Sequence, residues 1–236
     1  MHKQFWWAVV GLFTLTFTPP CTVVWAQEPS WENHMTAATL ALQRRHLAEA
    51  GTQLEAALEL AEDFSVGDPR LARTLNNLAY IYRRMGRYYD AEPLYRRAAD
   101  LHEETLGPNH PNVATVLNNV ASLYQLQRRY DEAEALFVRA LDIRERALGL
   151  EHPDVATSLN NLAGLYQVQG EADKAEPLFQ RSLEILEKAH GPDDQRIARW
   201  LFNMSRLYLA QGRFEEARNL EARARAIWVS RVGADR

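Results

Sequence analysis

Four asparagines stand 42 residues apart: Asn77, Asn119, Asn161 and Asn203. Three of them follow a second asparagine (Asn76, Asn118 and Asn160), and Phe202 takes that place before the fourth. A carboxamide both donates and accepts hydrogen bonds. A column of them can pair with the backbone of an extended peptide whatever its sequence. Each pair has a second possible use, tying neighbouring helices or loops together. Arginines join the column only at its ends. Arg73 precedes Asn77 by four residues and Arg199 precedes Asn203 by four, with Arg84 and Arg206 further along. Thr115, Ser122, Thr157 and Gly164 hold the corresponding middle places. This is the chemistry of recognition, not of bond making.

Constellations that would support catalysis fail on spacing. His110 and His152 lie one 42-residue step apart, roughly 10 Å or more for packed helices, while zinc needs each ligand at about 2 Å. The acid pairs Glu103-Glu104, Asp131-Glu132 and Glu215-Glu216 are neighbours in sequence and read as solvated faces, whereas acid–base chemistry needs convergent groups in a pocket. No serine stands in a nucleophile elbow and no glycine-rich loop follows a strand. No enzyme, cofactor or metal is therefore expected. A net charge of −4 and a pI near 6 give no footprint for nucleic acid.

The column belongs to a larger repetition. Aligned without a gap, 110–151 and 152–193 are identical at 24 of 42 positions. A fixed period of this size marks a stacked repeat array. Within each copy Leu75, Leu78, Ala79 and Tyr82 stand at helical spacing, as do Leu117, Val120, Ala121 and Tyr124, and then Leu159, Leu162, Ala163 and Tyr166. These form the core stripe of a first helix. A second helix carries Ala91, Leu94, Tyr95 and Ala98, or their equivalents, with Pro93 and Pro177 expected near its first turn. Pro69, Pro111 and Pro153 suit a first helical position. Asp68 is a good cap before the first of them, and His110 and His152 are poorer ones. The spacing predicts a degenerate helix pair over 27–68 and four repeats over 69–107, 111–149, 153–191 and 195–230, with a tail at 231–236. Ile227 and Trp228 are placed on the apolar side of the last helix.

Residues 1–26 differ in kind. A short basic start, the apolar stretch Phe5 to Phe17, and Val24-Trp25-Ala26 before Gln27 form a signal-peptide pattern. Cleavage after Ala26 is expected, giving an exported, periplasmic or secreted protein with no stable membrane insertion. Cys21, the one cysteine, lies in the removed part.

Helix–turn–helix units with a glycine between the helices, a tyrosine late in the first and a small-then-aromatic pair in the second resemble tetratricopeptide repeats. The 42-residue period, the Leu-Asn-Asn-Leu-Ala block and the Leu-Gly-x-x-His-Pro connection resemble the kinesin-light-chain type. The resemblance implies an all-α, right-handed superhelical solenoid of about five antiparallel helix pairs, with first helices lining a concave groove. On a helical wheel Arg73, Asn77, Tyr80 and Arg84 point away from the core stripe. Thr115, Asn119, Ser122 and Leu126 follow, then Thr157, Asn161, Gly164 and Val168, then Arg199, Asn203 and Arg206. With Asn76, Asn118 and Asn160 flanking, these residues are expected to contact a peptide or protein partner. The alternative is a structural, self-associating solenoid or an assembly factor of a larger envelope complex.

Overall fold

The computed structural model describes residues 30–234, with side chains to 229. The expected signal peptide, 1–26, lies outside the described residues. Ten helices follow one another: α1 (Trp31–Gln43), α2 (Leu47–Glu62), α3 (Pro69–Arg84), α4 (Tyr88–Leu106), α5 (Pro111–Leu126), α6 (Tyr130–Leu148), α7 (Pro153–Gln169), α8 (Ala172–His190), α9 (Gln195–Ala210) and α10 (Phe214–Ala234). They pair as five hairpins, and each hairpin packs on the next. The result is an all-α repeat solenoid.

The helix starts follow from the caps. Asp68 and Asp194 accept from the backbone N–H two residues on, at 2.9 Å each. His110 and His152 do the same through Nδ1, at 3.1 Å each. The histidines are thus working caps, better than their side-chain type suggests. Proline follows the cap in α3, α5 and α7, where its missing N–H costs nothing. The tight turn inside a hairpin needs one left-handed residue. Gly170 supplies it at φ 80°, but Arg128 adopts it at φ 62° and Arg45 at φ 63°, at a cost of about 1–2 kcal/mol each.

Pro93 and Pro177 sit six residues into α4 and α8, deeper than the first turn. Both are exposed. α10 continues to Ala234, absorbing most of the expected tail. Trp228 is 55% exposed, not on a buried face, because among the described residues no helix lies beyond α10 to cover it.

The core runs along the axis of the array. Tyr95, Phe137 and Phe179 are fully buried one repeat apart, each beside a buried alanine: Ala91, Ala133 and Ala175. The equivalent place in the last repeat is Glu221, which pairs with Arg225. At this place the last described hairpin thus carries a charged pair where the inner repeats bury an aromatic ring.

Two further ladders align the repeats. Tyr82, Tyr124, Tyr166 and Tyr208 each donate to a glutamate of the preceding hairpin: Glu55 at 2.7 Å, Glu92 at 3.1 Å, Glu134 at 2.7 Å and Glu176 at 2.9 Å. Arg87, Arg129 and Arg213 lie over the first, second and fourth of those rings, 3.7 to 3.9 Å from the ring centres. Burial, and then the bond to Glu134, push the Tyr166 phenol up to about 12. On the second helices Arg97, Arg139, Arg181 and Arg223 reach back to Glu62, Glu103, Glu145 and Glu187. Exposed pairs of this kind contribute about 0–1 kcal/mol each. Their use is to hold register between similar units, while apolar burial supplies the stability.

His102 breaks the pattern. It is buried on α4 with Nδ1 unpartnered, and burial, with His110 nearby, holds its pKa below the usual histidine range. Folding thus favours the neutral ring, and the unfolded chain binds more protons once pH falls below about 6.5. Stability is fully present above that value and is lost as pH falls towards the lowered one. Leu186 stands at the equivalent place one repeat from Arg144, so His102→Leu is a tolerable change. In urea titrations the parent should lose more stability between pH 7.5 and 5.5 than His102→Leu does. Equal losses in the two proteins would refute the assignment.

Candidate functional site: a groove lined by the first helices

First helices of successive hairpins touch: α3 meets α5, α5 meets α7, and α7 meets α9. The second helices stand further apart and interact mainly through long arginine–glutamate pairs. The close side of a curved stack is its inner side. The groove is therefore lined by α1, α3, α5, α7 and α9.

The asparagine columns form a continuous ladder on this face. Asn119 Nδ2 donates to Asn76 Oδ1 at 2.8 Å, Asn161 Nδ2 to Asn118 Oδ1 at 3.4 Å, and Asn203 Nδ2 to Asn160 Oδ1 at 2.9 Å. Asn119, Asn161 and Asn203 thus tie their helices to the one before, while Asn77 accepts from Asn76 on its own helix at 3.4 Å. Asn76, Asn77, Asn119, Asn160, Asn161 and Asn203 are half-buried and keep part of their hydrogen-bonding capacity towards the groove.

Asn118 is a correction to the sequence expectation. It is 4% exposed, and its amide donates to Ala114 O and to Ser158 Oγ, at 3.0 Å each. With Asn161 donating to its oxygen it is spent on packing, and it cannot meet a partner. The reason is local. Position 158 carries serine where the preceding repeat has Val116 and the next has Trp200, so of the junctions that carry the asparagine ladder this one offers a hydroxyl and the other two do not. Ser122 is half-buried, and its hydroxyl donates to Asn118 O at 2.8 Å.

Arg144 completes that buried cluster. It reaches from α6 between α5 and α7 and donates to Asp154 O at 3.0 Å, Ser158 Oγ at 2.9 Å and Thr115 Oγ1 at 3.1 Å. It is 5% exposed, and burial holds its pKa below the usual arginine range. Among the described residues it has no carboxylate within 4 Å, although Asp154 favours its charge from further off.

At the N-terminal end the groove widens into a cavity of about 290 Å³. Met35, Leu42, Leu54 and Ile81 form its apolar wall, and Asn76, Asn77, Tyr80 and Asn119 its polar one. A second hollow of about 410 Å³ adjoins it, with Trp31, Thr36 and Arg73 on its rim. α1 is fixed here by the Trp31 indole, which donates to Thr74 Oγ1 at 2.8 Å, and by Arg73 over its ring at 4.5 Å. The wall residues from α1 and α2 were not legible as site residues, because the degenerate first hairpin departs from the 42-residue pattern.

The charges divide by face. Every arginine of the second helices whose side chain is described, Arg144 excepted, has a carboxylate within 4 Å. The first helices differ. Arg70 and Arg196 are held by the cap carboxylates Asp68 and Asp194. Arg73, Arg84, Arg199 and Arg206 are exposed, and among the described residues none has a carboxylate within 4 Å. Arg84 donates to Tyr80 Oη at 3.1 Å, and Arg199 lies over Trp200 at 4.6 Å. Between the two ends the groove surface is Thr115, Leu126, Thr157, Gly164 and Val168, with Leu126 and Val168 exposed. Such a groove can bind an extended chain and match its charge. Among the described residues no group of three or more metal-ligating side chains is placed to hold an ion, and no helix is long and apolar enough to cross a membrane.

Comparison with known proteins bears on the same residues. A family model described as tetratricopeptide repeat matches 70–146, 112–167 and 154–228. The chain is similar to the crystal structure of BtubC (BKLC) from P. vanneervenii, with 27% identity and a TM-score of 0.71 over 86% of this chain and 81% of that one. It is also similar to the nearly identical TPR-like repeats of a putative kinesin light chain from Podosopora anserina, at 24% identity and a TM-score of 0.66 over 84% and 95%. A Rap protein complexed with competence and sporulation factor shares the fold at 15% identity and a TM-score of 0.73, over 84% of this chain and 54% of that one. No curated protein matches the chain.

Proposed function

The chain belongs to the tetratricopeptide repeat family, and from that premise we propose that it is a non-catalytic scaffold or adaptor holding a segment of a partner protein in its concave groove. One observation carries the reading: the groove arginines lack carboxylates while those of the outer face have them. A charge left unpaired on a concave, hydrogen-bonding surface is a charge available to a ligand. Family membership supports protein or peptide binding in general. The N-terminal pattern of residues 1–26 supports an exported site of action.

End-to-end self-assembly has less support. The glutamate that accepts from the next repeat's tyrosine is Glu92, Glu134 and Glu176, but Arg218 follows at the next step. The glutamates of the outer ladder end likewise at Val229. A following copy would find neither acceptor.

The test is capture from an exported fraction by immobilised protein. The comparison protein carries Arg73→Glu, Arg84→Glu, Arg199→Glu and Arg206→Glu, all at exposed positions. The bound partner should be lost from this variant while its circular dichroism stays unchanged. Undiminished capture would overturn the groove reading.

A further inference from the structure

The spacing of the unpaired arginines narrows the class of partner. Arg73 and Arg84 sit on α3, and Arg199 and Arg206 on α9, three repeats on. Between them, on α5 and α7, the same helix positions carry Thr115, Leu126, Thr157 and Val168, with Ser122 and Gly164. The one cation near this middle stretch, Arg144, is buried and already donates to three oxygens. The groove therefore presents two separate positive ends and a neutral centre with an apolar edge. Asp154, whose side chain lies 3.8 Å from the His152 ring, lines the hollow that Arg196 and Arg199 also line, so its charge belongs to that end and not to the centre.

Packed helices stand about 8–10 Å apart. The asparagine bonds from α3 through α5 and α7 to α9 hold these first helices at such a distance. Three steps make about 30 Å. An extended chain advances about 3.3 Å per residue, so about nine residues bridge the two ends. We infer that the partner segment is bipartite: two acidic clusters separated by about nine neutral residues, lying extended along α3, α5, α7 and α9. This rests on the groove reading above. The carboxylates of one cluster meet Arg73 or Arg84, which stand about 16 Å apart along α3, and those of the other meet Arg199 or Arg206. The neutral backbone between them meets the remaining capacity of Asn119 and Asn161. A wrong spacing lets one end bind and strands the other, so the second contact adds nothing.

Fluorescence anisotropy with synthetic peptides tests this on the full mature chain. Each probe carries two tri-glutamate clusters joined by a serine–asparagine spacer of varied length, and a control carries one cluster. The probe with a spacer of about nine residues should bind roughly tenfold or more tighter than the single cluster, with short spacers no better than the control. Arg199→Glu with Arg206→Glu should remove that advantage and leave single-cluster affinity within about twofold, because the α3 end still holds a lone cluster. Affinity independent of spacer length, or no binding of any probe, overturns the bipartite partner. If single-cluster binding is lost on Arg73→Glu with Arg84→Glu, the groove reading survives that failure. Binding untouched by all four substitutions removes both.

Discussion

Phe137→Ala is expected to lower the free energy of unfolding by about 3–5 kcal/mol. The ring is fully buried between hairpins, among Ala133, Val120, Tyr124 and the first helices on either side. Truncation loses the transfer energy of the ring and leaves a cavity that neighbours on rigid helices cannot fill. A repeat array is stable through contacts between nearest neighbours, so damage at a central joint uncouples the two halves. The urea transition should move to a lower midpoint and broaden, with the flanking hairpins melting separately. Phe179→Ala should behave alike. A loss under about 1 kcal/mol would mean that the joint is loosely packed and that the aromatic ladder is not its core. Glu221 occupies the corresponding place in the last repeat, and Glu221→Ala should have little effect, because among the described residues no helix packs beyond α10.

The second large effect is at Arg144. Its guanidinium is buried without a carboxylate in contact, and Ser158, Thr115 and the Asp154 carbonyl are its acceptors. Arg144→Glu removes the donors and sets an anion against three oxygens in a dry site. A loss of roughly 3–5 kcal/mol is expected. Arg144→Met should stay within about 1–2 kcal/mol of the parent. It fills similar volume and relieves the cost of burying the cation. Ser158 keeps the Asn118 donor, and Thr115 keeps its bond to Pro111 O. Denaturant titration of both variants checks the contrast. Comparable large losses from both would make the charge itself structural. If neither loses stability, the cluster is not a constraint.

Much of this architecture is legible from the 42-residue period. Leu117, Val120 and Ala121 mark the inner stripe of α5 because burial on a helix must recur at its turn. Pro111 and Gly149 bound one hairpin for backbone reasons that need no tertiary context. The paired asparagines are harder. Repetition identifies them, but only the distance between first helices decides that Asn119 bonds to Asn76 and that Asn118 is consumed by Ser158. The tyrosines read as core alone because their rings obey the stripe. Their hydroxyls reach Glu92, Glu134 and Glu176, which lie 32 residues before them. That offset recurs at every full joint and was available as a signal. Arg144 was not, since nothing repeats it: His102 and Leu186 hold its place elsewhere. The groove's pattern of unpaired charge needed both faces in view, because an arginine's freedom depends on which carboxylates the fold brings near.

The central claim is that the inner face formed by the first helices, and not the outer face, receives the partner. Site-specific photo-crosslinking measures this directly. A benzophenone side chain replaces Ser122 on α5 in one protein and the exposed Val138 on α6 in another. After irradiation with the captured partner, a covalent adduct should form from position 122 and not from position 138. An adduct from position 138 with none from 122 would contradict the account and move the binding surface to the outer helices.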